Sequence, residues 1–485
     1  MKRPFLIAAA ICSVFIATAF YCKHTIMAVA FCLLLALIAA LKFKNVRLIA
    51  VFLLALSVLS ALFNTFSDIN RLEALNKRHT KESLVISSVP TFKDGTCFVK
   101  ATVLSDNLLK KGDKLQISFS DFEAESGDEV TAELVLEKPL NETFKKNLYS
   151  QNIFMTAKAY GIENTNDSSA LLTFIPKLRG RINKIINTYS SEYFTRNFSL
   201  AVLLGEIDLL DDDFYANSKK TGTTHLLVVS GMHLVIILGG LYKLLSAIIR
   251  NKYLLFVVIF FSTLIFMGLC GFTMSVLRSG VSYLLLVSAP LFNRESDPLS
   301  SLCAAAVFIF IFNPFALFSI SFQLSMLSTL GILTLSPFLD ECLMKAFKTD
   351  SIILKNLFSA VTVTVSASLF TAPVLIITFG YLSTVFLIAN ILVGEIVNFI
   401  LVLLVLGVAV GFVLPNFNII HSLFYLIKIL SNYTRDVVCL LGSLPFSAIE
   451  VPFYFAFVFI AAIISLLFIY DIKKRRNKNL MRKNI

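Results

Sequence analysis

"HLLVVSGMHLVIILGG", residues 225–240, is apolar enough to form most of a membrane helix, yet it holds His225, Ser230, His233 and three glycines. A span facing lipid alone has no use for two imidazoles and a hydroxyl, because polar side chains at that depth are costly unless other helices or water meet them. On a continuous helix turning about 100° per residue, His233 lies about 80° and Ser230 about 140° from His225, so the three would share one side. The Ser230-Gly231 pair loosens such a helix, since glycine is poor in helix interiors and serine bonds back to carbonyls. Broken helices occur at membrane depth where they meet protein or line a water-filled cavity.

The rest of the chain supplies the setting. Its 485 residues are 57% hydrophobic and 15% charged, with mean hydropathy +0.80, far too apolar for a soluble globular protein. The expected fold is a polytopic α-helical membrane protein of roughly ten to twelve spans. Apolar runs at 4–22, 25–41 and 48–66 come first. Further runs follow near 226–243, 253–273, 274–292, 299–313, 315–338, 356–379, 381–412 and 451–470. The stretch 417–445, with Lys428, Arg435 and Asp436, fits either a span or an interfacial helix. The first run follows Lys2-Arg3 and contains "ATA", so a cleaved signal peptide competes with a retained helix. Two more apolar runs follow at once and favour the helix.

Basic residues set the orientation. Lys2-Arg3, "KFKNVR" (42–47) and "DIKKRRNKNLMRKNI" (471–485) place both termini in the cytoplasm by the positive-inside rule. Three spans then leave residues 68–167 outside. That segment holds 13 Lys+Arg against 16 Asp+Glu, so the net charge of +12 belongs to the membrane part and its edges. Such charge is topogenic and attracts anionic lipid; attraction for a polyanion is the sharper reading.

From residue 83 the pattern turns to short runs rich in Val, Ile, Thr and Phe: "SLVISSVP", "TCFVKATVLS", "DKLQISFS", "DEVTAELVLEKP", "FMTAKAYG" and "ALLTFI". Separated by turn signals such as "KDGT" and "ESGDE", they predict five or six strands, an inserted extracytoplasmic β-barrel of the oligonucleotide-binding (OB) type or a small sandwich. Its near-neutral charge does not favour nucleic-acid binding. "KLRGRINKIINTYSSEYFTR" (177–196) places Leu178, Ile182, Ile185, Ile186 and Tyr189 on one helical face, as an interfacial helix or one packed on the barrel would. The organisation therefore reads as N-terminal transmembrane helices (1–67), an outer β domain (68–176), an amphipathic segment (177–221), a transmembrane domain (222–470) and a basic tail (471–485).

Eight cysteines include no C-x-x-C, and five histidines include no H-E-x-x-H, so neither a disulfide framework, a hydrolytic metal site nor a cofactor is expected. The spans do carry Arg278 in "MSVLRSGVSYLL", Gln323 in "SFQLSML", and Asn390, Glu395 and Asn398 in "ANILVGEIVNF". Each could be packing glue between helices. As a set spread over several helices, they favour a polar pathway.

In this order and spacing the residues resemble a family, the ComEC DNA-uptake proteins of bacterial competence. The likeness is carried by "LAVLLGEIDLLDDDFYANSKKTGTTHLLVVSGMHLVIILGGLY" (200–242), "SVLRSG" (275–280), "DPLSSLCAAAVFIFIFNPFALFSISFQLSMLSTLGI" (297–332), "TAPVLIITFGYLS" (371–383) and "ANILV" (389–393). "GDEVTAELVLEKP" and "LYSQNIFMTAKAYG" (148–161) are similar to the family's outer OB-like domain. The resemblance implies a channel passing one DNA strand across the cytoplasmic membrane. Its motif positions here are Glu206, Gly222, His225, Ser230, Gly231, His233, Arg278, Asp297, Asn313, Pro314, Gln323 and Asn390.

The implied partners are single-stranded DNA, membrane lipids, a DNA receptor and a cytoplasmic helicase or motor. Longer family members resemble a fusion to a metallo-β-lactamase-like domain whose histidines are not found here, so this chain is expected to be no enzyme and any nuclease a separate partner. Glu395 stands where relatives tend to have proline, and an ionised acid facing the lumen would repel DNA. It is expected off the pathway or protonated. Two other readings fit the residues: a transporter for another anionic polymer or lipid-linked precursor, and an intramembrane hydrolase using Ser230 with a histidine. No oxyanion-hole element accompanies that pair.

Overall fold

In the computed structural model the described residues are 9, 12, 13, 16 and those from 46 to 469, apart from 89–90, 94–95, 120–127, 140, 165–173, 294, 348–350, 415–417 and 467. The first two apolar runs lie almost wholly outside the described residues, and the basic tail lies entirely outside them. Helix α1 (Val46–Glu73) leads into β1 (His79–Ile86), β2 (Thr91–Lys93), β3 (Thr96–Val103), β4 (Lys114–Phe119) and β5 (Glu129–Glu137), then α2 (Glu142–Tyr149) and β6 (Ile153–Asn164). The helices α3 (Phe174–Tyr189), α4 (Tyr193–Leu204), α5 (Asp212–Thr221), α6 (Thr224–Leu227), α7 (Gly231–Ile248), α8 (Lys252–Leu269) and α9 (Met274–Ser288) follow. After them come α10 (Pro298–Phe312), α11 (Ile320–Thr334), α12 (Ser336–Phe347), α13 (Ile352–Phe379), β7 (Tyr381–Ser383), α14 (Phe386–Val413), α15 (Ile419–Gly442) and β8 (Ala448–Glu450). A last apolar helix, α16, covers Phe455–Leu466.

Among the described residues, five segments are long and apolar enough to cross a membrane: Thr224–Ile248, Lys252–Leu269, Met274–Phe292, Ile352–Phe379 and Phe386–Val413. The pair α11–α12, bent by 41°, would be a sixth. The runs read as plain spans at 299–313 and 315–338 are interrupted. Helix α10 stops at Asn313, a 3-10 turn covers Pro314–Phe318, and α11 then starts afresh. Pro314 has no N–H to continue the ladder and clashes with the preceding turn. The stretch 177–196 is not one helix but the end of α3 and the start of α4, parted at Ser190–Glu192. The expected strand "ALLTFI" is corrected where it is described, since Phe174 and Ile175 open α3. A short apolar run does not by periodicity alone distinguish strand from helix.

The chain forms two compact units. The first comprises residues 1–189, 203–208 and 231–322, the second residues 190–202, 209–230 and 323–485.

In the first unit β1, β5, β6, β4 and β3 close into a five-stranded barrel, with β2 paired onto β3. The strand order and the single parallel pair, β4 with β6, are those of an OB barrel. Alternation fills it: Cys97, Val99, Ala101 and Val103 of β3 point inward, whereas Phe98, Lys100 and Thr102 point outward. Cys97 is thus sealed in the core, 2% exposed. Charges join the end of α1 to the barrel. Arg71 grips Asp113 with Nη1 and Nη2 at 3.0 and 2.8 Å, and Glu73 meets Lys138 at 3.1 Å and Lys145 at 3.5 Å. Burial alone would raise the Glu73 carboxyl, but the two lysines outweigh it and hold it below the usual carboxylate range. Asn313, at the end of α10, donates from Nδ2 to the Ser150 carbonyl at 2.6 Å. Phe315 beside it packs edge-on against Tyr149 and Phe66, so the Asn-Pro-Phe turn is seated on the barrel.

In the second unit α15 buries Phe424, Ile427, Ser431, Thr434 and Val438 and packs on α14 and α5. Three of its polar residues meet Glu192: Asn432 Nδ2 donates at 2.9 Å, with Lys428 at 3.6 Å and Arg435 at 4.0 Å from the same carboxylate. Strands β7 and β8 pair antiparallel. Gly222 ends α5 in the left-handed region at φ 72°, and a Cβ there would stand 3.2 Å from Phe386 and 3.3 Å from Ser383. Both the turn and the close approach call for glycine.

Candidate functional site

The opening stretch folds as a broken span. Four residues of α6 give way to extended backbone at Val228, and helix resumes at Gly231. The break undoes the continuous-helix angles, so His225, Ser230 and His233 belong to a short helix, a link and the first turn of α7 rather than to one stripe. The passage from the second unit to the first falls at Ser230/Gly231. The candidate residues divide accordingly: Glu206, Gly231, His233, Arg278, Asp297 and Asn313 lie in the first unit, His225, Ser230, Gln323 and Asn390 in the second.

In the first unit, Arg278 sits on α9 only 6% exposed. Its Nη2 donates to Ser279 Oγ at 2.7 Å, and that hydroxyl donates to the Ser275 carbonyl at 2.8 Å. The guanidinium lies against the head of α7, since a Cβ on Gly231 would come within 2.9 Å of Nη2 and would also strike Ser279. Fully buried His233 is two residues further on. Tyr283 helps hold α9 to α7, donating to the Leu238 carbonyl at 3.0 Å. A helix N-terminus carries roughly half a positive charge on its N–H groups. Two positive elements therefore lie together in buried surroundings. An arrangement of this kind suits an oxyanion that presents two oxygens to the guanidinium fork, such as a phosphate. Gly231→Ala should displace Arg278 or part the helices, and a clear loss of function at unchanged protein level in the membrane is the expected result.

Other candidates have structural duties. The Asp297 carboxylate caps α10, accepting from Leu299 N at 3.3 Å and Ser300 Oγ at 2.7 Å. Glu206 is buried and pairs with Arg179 Nε at 3.1 Å, while its Oε2 has no hydrogen-bond partner among the described residues. Burial lifts the Glu206 carboxyl above its ordinary range, and Arg179 only partly opposes this. In the second unit His225 is exposed and donates from Nδ1 to the Gly222 carbonyl at 2.9 Å. Gln323 is half-buried on α11. The amide oxygens of Asn390 and Asn398 are buried without a hydrogen-bond partner among the described residues, whereas Glu395 is exposed on the outer stripe of α14. Arg179 and Ser279 escaped the sequence reading. Ser279 adjoins Arg278 in "LRSG", but Arg179 looked like any basic residue of an amphipathic helix. Among the described residues no group of three or more His, Cys, Asp or Glu is placed to hold a metal ion.

Apolar helices of membrane-crossing length, a helix break with the buried arginine of α9 beside it, and an OB-type barrel define the class. The profile of the competence protein family matches residues 202–476, and the chain belongs to that family. It is similar to ComE operon protein 3 of Bacillus subtilis (strain 168), 24% identical over 214 residues, which are 42% of this chain and 27% of that relative. The match therefore spans little more than a quarter of the relative's length. No solved structure matches the chain.

Proposed function

We propose that this chain passes single-stranded DNA across the cytoplasmic membrane during DNA uptake, with Arg278 at the head of α7 meeting the phosphates. The observation that carries this reading is the buried guanidinium against Gly231, a cationic site inside an apolar bundle. Membership of the competence family supports the uptake role. A moving polyanion needs several weak contacts rather than one tight site. Glu206, His225, Ser230, His233, Gln323 and Asn390 are further candidates along the way. Residues 1–67 and 222–470 supply roughly ten to twelve spans, 68–176 the barrel on the outer side, 177–221 the interfacial segment, and 471–485 the tail beside a cytoplasmic N-terminus. A DNA receptor, a separate nuclease and a cytoplasmic helicase or motor act with the chain.

Uptake of labelled DNA tests the chemistry. Ser230→Ala should lower it only partly, by about two- to tenfold, the worth of one neutral hydrogen bond. Joint replacement of His225 and His233 by alanine should lower it further. An all-or-none loss confined to Ser230 and one histidine, with Arg278→Ala normal, would mark a nucleophile and its base and overturn the channel reading.

The orientation has its own test. Cys97 is sealed in the barrel and cannot report, but Asp106 lies exposed beyond β3. On intact cells a membrane-impermeant maleimide should label Asp106→Cys and leave Cys342 untouched. The reverse pattern would turn the topology over.

A further inference from the structure

Glu395 stands exposed on α14, a helix long and apolar enough to cross a membrane. Around it, at spacings of three, four, seven and eleven residues, lie Ile388, Ile391, Leu392, Phe399, Val402 and Leu406, all exposed. At about 100° per residue they fall within about 60° of the acid, so one stripe carries them all. Such neighbours suit lipid chains or another apolar helix, not a water-filled lumen. Among the described residues no cation pairs with the Glu395 carboxylate. The start of the helix sets the depth of the acid. Just before α14, β7 pairs with β8, and the open edges of a strand pair do not occur against lipid within hydrocarbon. Tyr381 in that pair and the exposed Tyr454 after it fit the headgroup level. Hydrocarbon therefore begins near the first turn of α14. Glu395 is the tenth residue of the helix, about 14 Å from its start, in a core ~30 Å thick. All of these residues belong to the second unit.

An acid at that depth is costly unless something meets it, and the chemistry of what could cover the stripe narrows the choice. Lipid tails carry no donor. A second copy of the chain, paired about a two-fold axis, brings the same stripe, hence apolar side chains or the same acid. The chain's own apolar runs at 4–22 and 25–41 contain no Lys or Arg. Charge complementarity therefore selects a foreign helix with a cation. Beside the acid there is room for one: a Cβ on Gly394 would meet nothing within 4 Å, and glycine lets two membrane helices approach closely. We propose that this stripe of α14 docks a transmembrane helix of a partner protein, whose lysine or arginine pairs with Glu395. The site is independent of Arg278 and of the channel reading.

Energy transfer in phosphatidylcholine vesicles tests this, between the full chain, dye-labelled at its carboxyl end, and a labelled leucine-rich transmembrane peptide. A peptide with one central lysine should associate saturably, and the same peptide with leucine in that place should give only the transfer of random proximity. Glu395→Gln should weaken the lysine peptide by about three- to fifteenfold, the worth of one polar contact between membrane helices. Glu395→Lys should reverse the preference, losing the lysine peptide and gaining one with a central glutamate. That gain also shows the variant to be folded, as expected of a change at an exposed position. The proposal is overturned if the lysine peptide associates no better than the leucine peptide, which would leave the stripe to lipid, or if Glu395→Gln and Glu395→Lys bind the peptides as the unaltered chain does. It is equally overturned if differently labelled copies of the chain transfer energy to one another and Glu395→Gln abolishes that transfer, since the occupant would then be a second copy.

Discussion

Replacing Arg278 with glutamine should lower DNA uptake by about 30-fold or more, since losing one side of a buried charged contact costs about 2 to 5 kcal/mol. The loss should be functional rather than structural. Arg278 is nearly buried and donates to Ser279 Oγ within its own helix, a contact that the amide of a glutamine can also supply. Arg278→Gln protein should therefore reach the membrane at normal levels and withstand heating as well as the unaltered chain. Lysine at the same place should recover uptake only in part, because an ammonium keeps the charge but not the planar fork that spans two phosphate oxygens. Cytoplasmic counts of labelled DNA, normalised to membrane protein, give the answer. Unchanged uptake in Arg278→Gln cells would remove the central contact from the proposal.

Arg179→Met should destabilise the protein by about 3 to 5 kcal/mol, the usual result of leaving one partner of a buried ion pair alone. Glu206 and Arg179 have side chains only 4% and 13% exposed, so water cannot take over the pairing. The sign of the pH effect follows from burial, which already raises the Glu206 carboxyl and is opposed by Arg179. A carboxyl raised in the folded state favours folding below its unfolded pKa, and that contribution fades as pH rises through the folded value. Without Arg179 the folded value rises further. The deficit of Arg179→Met should then be largest near neutral pH and shrink on acidification, as Glu206 takes up a proton. The double variant Arg179→Met, Glu206→Gln should regain much of the loss at neutral pH. Thermal unfolding of nanodisc-embedded protein at several pH values reads all of this, and a deficit independent of pH would show that the pair is not what the substitution disturbs.

Much of the architecture was legible along the chain. Long apolar runs give α8, α13 and α14, because a helix crossing lipid satisfies its backbone internally and needs only length and hydropathy. Two-residue alternation gives β3, β4 and β5, since inward and outward positions follow from the pleat itself. Ser230-Gly231 marks the break before α7, a local matter of helix propensity.

Only the tertiary structure brought together groups far apart in sequence: Arg278 with Gly231, Arg179 with Glu206, Asn313 with the Ser150 carbonyl. Their spacing has no period, because such contacts are set by which helix and strand faces pack rather than by backbone geometry within a turn. The same reason separates residues that shared one motif. Asp297 spends its carboxylate on a cap and Asn313 its amide on the barrel, while Arg278 is held against the head of α7. Composition fixed how many polar groups the apolar helices had to accommodate; packing alone decided which neighbours each of them met.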